Sequence, residues 1–135
     1  MIVTLTLPWP PSVNEYWRHP GRGPLAGRHL ISAEGRTYRR TVRSLLPALQ
    51  PLGERLHVAI HAYPPDRRRR DLDNLPKAVL DALTHAGLWG DDSQIDHLEI
   101  ERHETRPGGE IEVVIALRRP DGASLGGHER GGLAC

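Results

Sequence analysis

The chain has 135 residues, 18 of them Lys or Arg and 17 Asp or Glu, for a formal net charge of +1. That length predicts one domain with its own core, and the near-neutral total excludes naming a partner from bulk charge. The single cysteine, Cys135, excludes an intrachain disulfide framework or a cysteine-built zinc site; no apolar run approaches the roughly 18 residues of a membrane span, and no basic start followed by an apolar core marks a secretory signal, so a cytoplasmic protein without a membrane partner is expected.

Ile2 to Leu7 alternates, with Val3, Leu5 and Leu7 on one face, and predicts a strand ended by Pro8, Pro10 and Pro11. Trp9 to Leu30 is rich in Pro, Gly and Arg and reads as a long loop. Asn14, Tyr16 and Arg18 lie in it; aromatics interleaved with cations suit splayed bases and phosphates, while Trp9 and Tyr16 tucked under the loop into the core is the competing reading. Ser32 is a good N-cap for a helix to about Gln50. Tyr38, Val42, Leu45, Leu46 and Leu49 form its apolar stripe, and Arg36, Arg39, Arg40 and Arg43 form a solvated or DNA-tracking face. Leu56, Val58, Ile60 and Ala62 alternate with His57, Ala59, His61 and Tyr63 in a second strand. His57 and His61 share a face but stand too far apart to chelate one ion, and read as a satisfied or exposed pair.

Pro64 and Pro65 end that strand and open a basic run, Arg67, Arg68, Arg69 and Arg70, which gives way abruptly to Asp71, Leu72, Asp73 and Asn74. Residues 1–77 carry 13 basic and 6 acidic side chains, a balance of +7; residues 78–135 carry 5 and 11, a balance of −6. Such asymmetry suggests a polyanion-facing half. Pro76 is tolerated in a first helical turn, so a helix should start between Asp73 and Pro76, with Asp71 in the preceding loop, Asp73 as a cap, and Gly87 past the end. Gly90 to Ser93 reads as a turn. Ile95 to His103 and Ile111 to Leu117 are two further strands, expected to form a hairpin across Arg106 to Gly109. The polar, Gly-rich 119–135 segment reads as a disordered tail, leaving 1–118 as the domain. The order strand, helix, strand, helix, strand, strand predicts an α+β (mixed α/β) fold, two main helices on a small mixed sheet of about four strands.

If Asp71, Asp73 and Asp92 converge, three carboxylates repel unless a cation sits among them. Mg²⁺, a hard ion held by one or two carboxylates plus phosphate oxygens, suits them, and the basic run would hold a phosphodiester nearby. Lys77, four residues after Asp73, lies on the same helix face and offers a point charge to the same phosphate. Taken singly, Asp71 and Asp73 also read as helix caps, and Asp91 and Asp92 as turn carboxylates.

Asp66 to Leu75, then Lys77, Asp81-Ala82-Leu83-Thr84, Trp89, Asp91-Asp92 and Gln94, together with Leu7 to Ser12, Asn14, Ser32 to Gly35 and Tyr38, resemble the RusA family of Holliday junction resolvases. The resemblance runs from about Ile2 to Leu117. It implies a homodimeric endonuclease (a crossover junction endodeoxyribonuclease) acting on four-way DNA junctions in recombination and repair, dependent on Mg²⁺ with Mn²⁺ as a substitute, and with no small-molecule cofactor. By resemblance Asp71, Asp73 and Asp92 fall on the catalytic, metal-holding aspartates and Lys77 on the essential lysine. Arg67 to Arg70, Lys77, Arg18, Asn14 and Tyr16 are expected to contact DNA. Pro76 departs from the family pattern, where a helix former stands. A junction-binding architectural protein without turnover is the alternative; an intact set of three aspartates and a lysine argues for the enzyme.

Overall fold

The structure is a computed structural model, and it describes residues 2–28, 30–47 and 50–118. Its elements in order are β1 (Ile2–Leu7), α1 (Val13–Tyr16), β2 (Trp17–Arg18), β3 (Leu30–Ile31), α2 (Ala33–Leu45), β4 (Arg55–Tyr63), a 3₁₀ turn η1 (Leu72–Asn74), α3 (Leu75–His85), a second 3₁₀ turn η2 (Asp92–Gln94), β5 (Ile95–Arg102) and β6 (Glu110–Arg118). The expected tail, 119–135, lies outside the described residues. The expected α+β architecture is present: one four-stranded mixed sheet with two main helices, joined by a small β2–β3 ribbon. No described helix is long and apolar enough to cross a membrane.

The main sheet runs β1-β6-β4-β5, antiparallel except for the parallel β4–β5 pair. β5 and β6 therefore do not form the expected hairpin. Composition explains the difference. β6 buries Ile111, Val113, Ile115 and Leu117, so it belongs in the sheet's interior between β1 and β4. β5 places charged or polar groups on both faces and is exposed along most of its length, which suits an edge that must resist pairing with other chains. After β5 the chain crosses the end of β4, where His103 N–H donates to the Ala62 carbonyl at 2.8 Å and Arg106 N–H to that of Pro64 at 2.8 Å.

One face of the sheet is the core. Leu5, Leu7, Leu56, Val58, Ile60, Ile111, Val113 and Ile115 meet Tyr38 and Val42 of α2 and Ala78, Val79, Ala82 and Leu83 of α3. α2 is capped by Ser32, whose hydroxyl accepts from Gly35 N–H at 2.9 Å. It ends at Leu45, short of the expected Gln50, because the residue before Pro47 is pushed out of helical geometry; Leu46 is extended. That early stop leaves Leu45 half exposed rather than in the core stripe; Leu49 lies outside the described residues. α3 starts at Leu75 with Pro76 in its first turn, as expected, and Gly87 follows the C-cap at φ +85°, a left-handed conformation that glycine adopts without a Cβ penalty.

The long loop is partly folded. Ser12 and Glu15 form a reciprocal capping box that starts α1, and the ribbon follows directly. Gly109, at φ +74°, lets the loop before β6 close on Trp9: a Cβ there would stand 2.8 Å from the Trp9 Cβ and 2.9 Å from the Pro65 Cδ. Gly109→Ala is expected to destabilise by about 2–4 kcal/mol through left-handed strain and overpacking. A lower urea midpoint at unchanged slope would report it; an unchanged midpoint would refute it.

Candidate active site

Pro64 to Asp71 leaves the end of β4 as a loop folded on its own charges. Asp66 accepts from Arg68 N–H at 2.9 Å and pairs with the Arg70 guanidinium at 2.9 Å. Those partners, Arg70 foremost, hold the Asp66 carboxyl below the usual carboxylate range. Arg70 also lies over Trp9, 5.5 Å from the ring centroid, and Arg102 Nη2 donates to the Arg70 carbonyl at 2.6 Å. With Arg70 held inward, Arg67 and Arg69 remain exposed. The loop forms one wall of an open cleft of about 820 Å³, lined also by Trp9, Asn14, Asp71, Leu72, Arg102 and His103.

Asp71 occupies the position before η1 but makes no capping bond. Asp73 lies within η1 and, contrary to expectation, is not the cap of α3; Asn74 precedes that helix, also without a side-chain cap bond. Lys77 projects from the first turn of α3 and is exposed.

Asp92 is positioned by the turn before β5. Trp89, 1% exposed, anchors that turn in the core, and its Nε1–H donates to Thr84 Oγ1 at 2.7 Å. Gln94 Oε1 accepts from the Gly90 and Asp91 N–H groups at 2.9 and 3.0 Å, while its Nε2 donates to the Leu52 and Glu54 carbonyls at 2.9 and 3.0 Å. Asp91 accepts from the Ser93 hydroxyl and N–H, which hold its carboxyl below the usual range. Asp91 is thus a structural cap, and its neighbour Asp92 is left exposed. The Asp91/Gln94 spacing is a capping-box pattern, the sequence signal that identifies Gln94 as the turn's anchor.

The aspartates divide sharply. Asp66, Asp81, Asp91 and Asp96 each have a side-chain or backbone partner. Among the described residues, Asp71, Asp73 and Asp92 have no side-chain hydrogen bond or ion pair, and neither has Lys77. Exposed carboxylates without a cationic partner are the acceptor-only oxygen donors that a hard divalent ion requires.

One chain does not gather all three. Asp71 borders the cleft with Arg102 and His103, at the end of β5, whereas Asp92 lies just before that strand begins. An eight-residue strand separates its two ends by about 20 Å. In agreement, among the described residues, the three carboxylates do not form a group with oxygens within 4.8 Å of one another.

The DNA-facing expectations also divide. Asn14, Arg18, Arg67, Arg68 and Arg69 are exposed. Tyr16 is a correction: it is 0% exposed and donates its hydroxyl to Asp81, which Arg39 also contacts at 2.8 Å. Burial and the Asp81 contact push the Tyr16 hydroxyl's pKa well up. A ring so enclosed packs the core and offers no face to a base, and Arg39 is committed to Asp81 rather than to a DNA-tracking face.

A small α+β scaffold that sets unpaired carboxylates and a lysine beside an arginine-lined cleft has the donors that divalent-metal enzymes of phosphodiester chemistry use. The family model described as "Endodeoxyribonuclease RusA" matches residues 8–116. The chain is 45% identical over 115 residues to the crossover junction endodeoxyribonuclease RusA of Shigella sonnei, covering 83% of this chain and 92% of that protein. It is 44% identical over the same span to the Escherichia coli K12 protein of that name, and 44% over 114 residues to that of Enterobacteria phage 82, covering 82% and 91%. The chain belongs to the RusA family of endodeoxyribonucleases, as the motif resemblance implied.

Proposed function

We propose that this protein is a homodimeric, Mg²⁺-dependent endonuclease that resolves four-way DNA junctions by paired phosphodiester hydrolysis. The observation that carries the reading is the division of the aspartates: among the described residues, Asp71, Asp73 and Asp92 have no side-chain partner where every other described aspartate has one. Those three carboxylates would hold the ion, with Mn²⁺ as a substitute. A bound divalent ion supplies a more acidic water and neutralises charge on the phosphoryl oxygens.

The protein's own groups do the rest. Arg67, Arg68 and Arg69 grip backbone phosphate at the cleft mouth, and Arg70 is held inward as part of the cleft wall. Lys77, an exposed point charge in the first turn of α3, stabilises charge at the reacting phosphate. Asn14 and Arg18 extend the polar surface along the strand.

The separation of Asp92 from Asp71 along β5 supports a site completed between subunits. In a two-fold dimer, Asp92 of the partner subunit joins Asp71 and Asp73 of the first, and the reverse pairing makes a second site. Two equivalent sites match the two-fold symmetry of a four-way junction.

Labelled four-way junction should be cut on adding Mg²⁺ and remain whole in chelator, while a linear duplex of the same sequence at the same salt is spared; salt must match because backbone affinity depends on it steeply. Junction that is bound but never cut in Mg²⁺ or Mn²⁺ would instead identify an architectural protein.

A further inference from the structure

The sheet face opposite the helices carries side chains that the nuclease reading does not use. His57 and His61 project from β4 on this face, and their partners come from β5, where His97 stands opposite His57 and Glu101 opposite His61. Two sets result. In the first, His61 Nδ1 lies 2.8 Å from His103 Nε2 and 3.6 Å from Glu101 Oε1, and His103 Nε2 lies 3.5 Å from the same oxygen. In the second, His57 Nε2 is 3.4 Å from Glu99 Oε1 and His97 Nε2 is 3.9 Å from Glu99 Oε2, with the His57 and His97 rings stacked at 4.0 Å.

We propose that His61, Glu101 and His103 form a binding site for a borderline transition-metal ion of the Zn²⁺ or Co²⁺ type, separate from the aspartates. Zinc binds imidazole nitrogen and carboxylate oxygen at about 2.0–2.2 Å, so tetrahedral geometry puts neighbouring donor atoms roughly 3.4 Å apart. The triangle of 2.8, 3.5 and 3.6 Å needs only a small widening between the two nitrogens. Two nitrogens and one carboxylate favour a borderline ion over Mg²⁺, which prefers oxygen throughout.

The surroundings fit a ligand set. Tyr63 stacks on the His103 ring at 4.8 Å and 19°, fixing its plane. Arg106, 3.6 Å from the Tyr63 centroid, is tied to Glu110 and Glu104. Glu101 is 67% exposed, so the fourth coordination position faces outward, free for water or an outside donor. Because His103 also lines the arginine-walled cleft, an ion here adds positive charge beside it. The second set, with wider spacing, is the weaker of the two.

The test is Co²⁺ titration of the full, tag-free chain after chelator treatment, read by visible absorption and by calorimetry. Wild type should develop the visible bands of Co²⁺ in a nitrogen–oxygen site of low coordination number. His103→Ala and Glu101→Gln should each weaken Co²⁺ binding by about 100-fold or more, beyond what outer-sphere changes cost, with unchanged far-UV circular dichroism confirming the fold. Asp71→Asn/Asp73→Asn should keep the bands, which separates this site from the nuclease site. No Co²⁺ bands in wild type, bands undiminished in both ligand variants, or bands lost with the aspartates would each overturn the proposal.

Discussion

Asp73→Asn is expected to lower Mg²⁺-dependent junction cleavage by about 10²-fold or more, the scale of losing a group that stabilises developing charge, while junction binding at matched salt is kept. Asparagine keeps the shape and one acceptor oxygen but removes the charge that, on the proposed reading, would hold the divalent ion. On that reading, binding rests on Arg67 to Arg69, which the substitution leaves in place. Asp73 makes no side-chain bond among the described residues, so folding should be unaffected. Cleavage at the wild-type rate would remove Asp73 from the site.

The same variant tests where the site is built. Asp92→Asn alone should be as inactive as Asp73→Asn. If each site takes Asp73 from one subunit and Asp92 from the other, mixed dimers of the two variants hold one site with both changes and one with neither. Mixing the two inactive proteins should then restore nicking of one strand, without paired cuts. If all the aspartates of a site came from one chain, every site in the mixture would carry a change and no activity would return. Failure of complementation, with subunit exchange verified, would refute the shared site.

Trp89→Ala should give the largest loss of stability. Trp89 is 1% exposed and among the largest fully buried side chains, and removing such a ring costs about 3–5 kcal/mol. At about 4 °C per kcal/mol for a chain of this size, the melting temperature should fall by roughly 10–20 °C. The substitution also frees the turn that carries Asp92, so cleavage should drop even at temperatures where the variant stays folded. Trp89→Phe keeps most of the packing and loses the N–H donated to Thr84, and should be milder on both counts. A Trp89→Ala protein that melts with wild type would show that the ring does not anchor the turn.

Local signals in this chain were readable where neighbours in sequence are also neighbours in space. Ser32 caps a helix, Pro76 sits in a first turn, and Gly87 ends one, all through bonds spanning a few residues. The alternation in β1, β4 and β6 marks their buried face because a strand's period is two. The hairpin of β5 and β6 misled because a Gly-Pro-rich link looks the same whether its strands pair or part. β4 pairs with both, and what placed β6 inside, between β1 and β4, and β5 at the edge was how much apolar surface each had to bury. Tyr16 lies in a stretch the sequence reads as loop, open to a DNA-facing or a core role; contacts with Tyr38 of α2 and Asp81 of α3 place it in the core.

The sequence alone determined the two main helices and the four strands of the main sheet, the basic run, the carboxylates that follow it and the family they resemble. Only the tertiary structure decided that Asp91 caps a turn while Asp92 has no partner among the described residues, that Asp92 and Asp71 stand at opposite ends of β5, and that His61 meets Glu101 and His103. The reason is that strand order and register are set by which faces the whole chain can bury together, and no short stretch of residues carries that information.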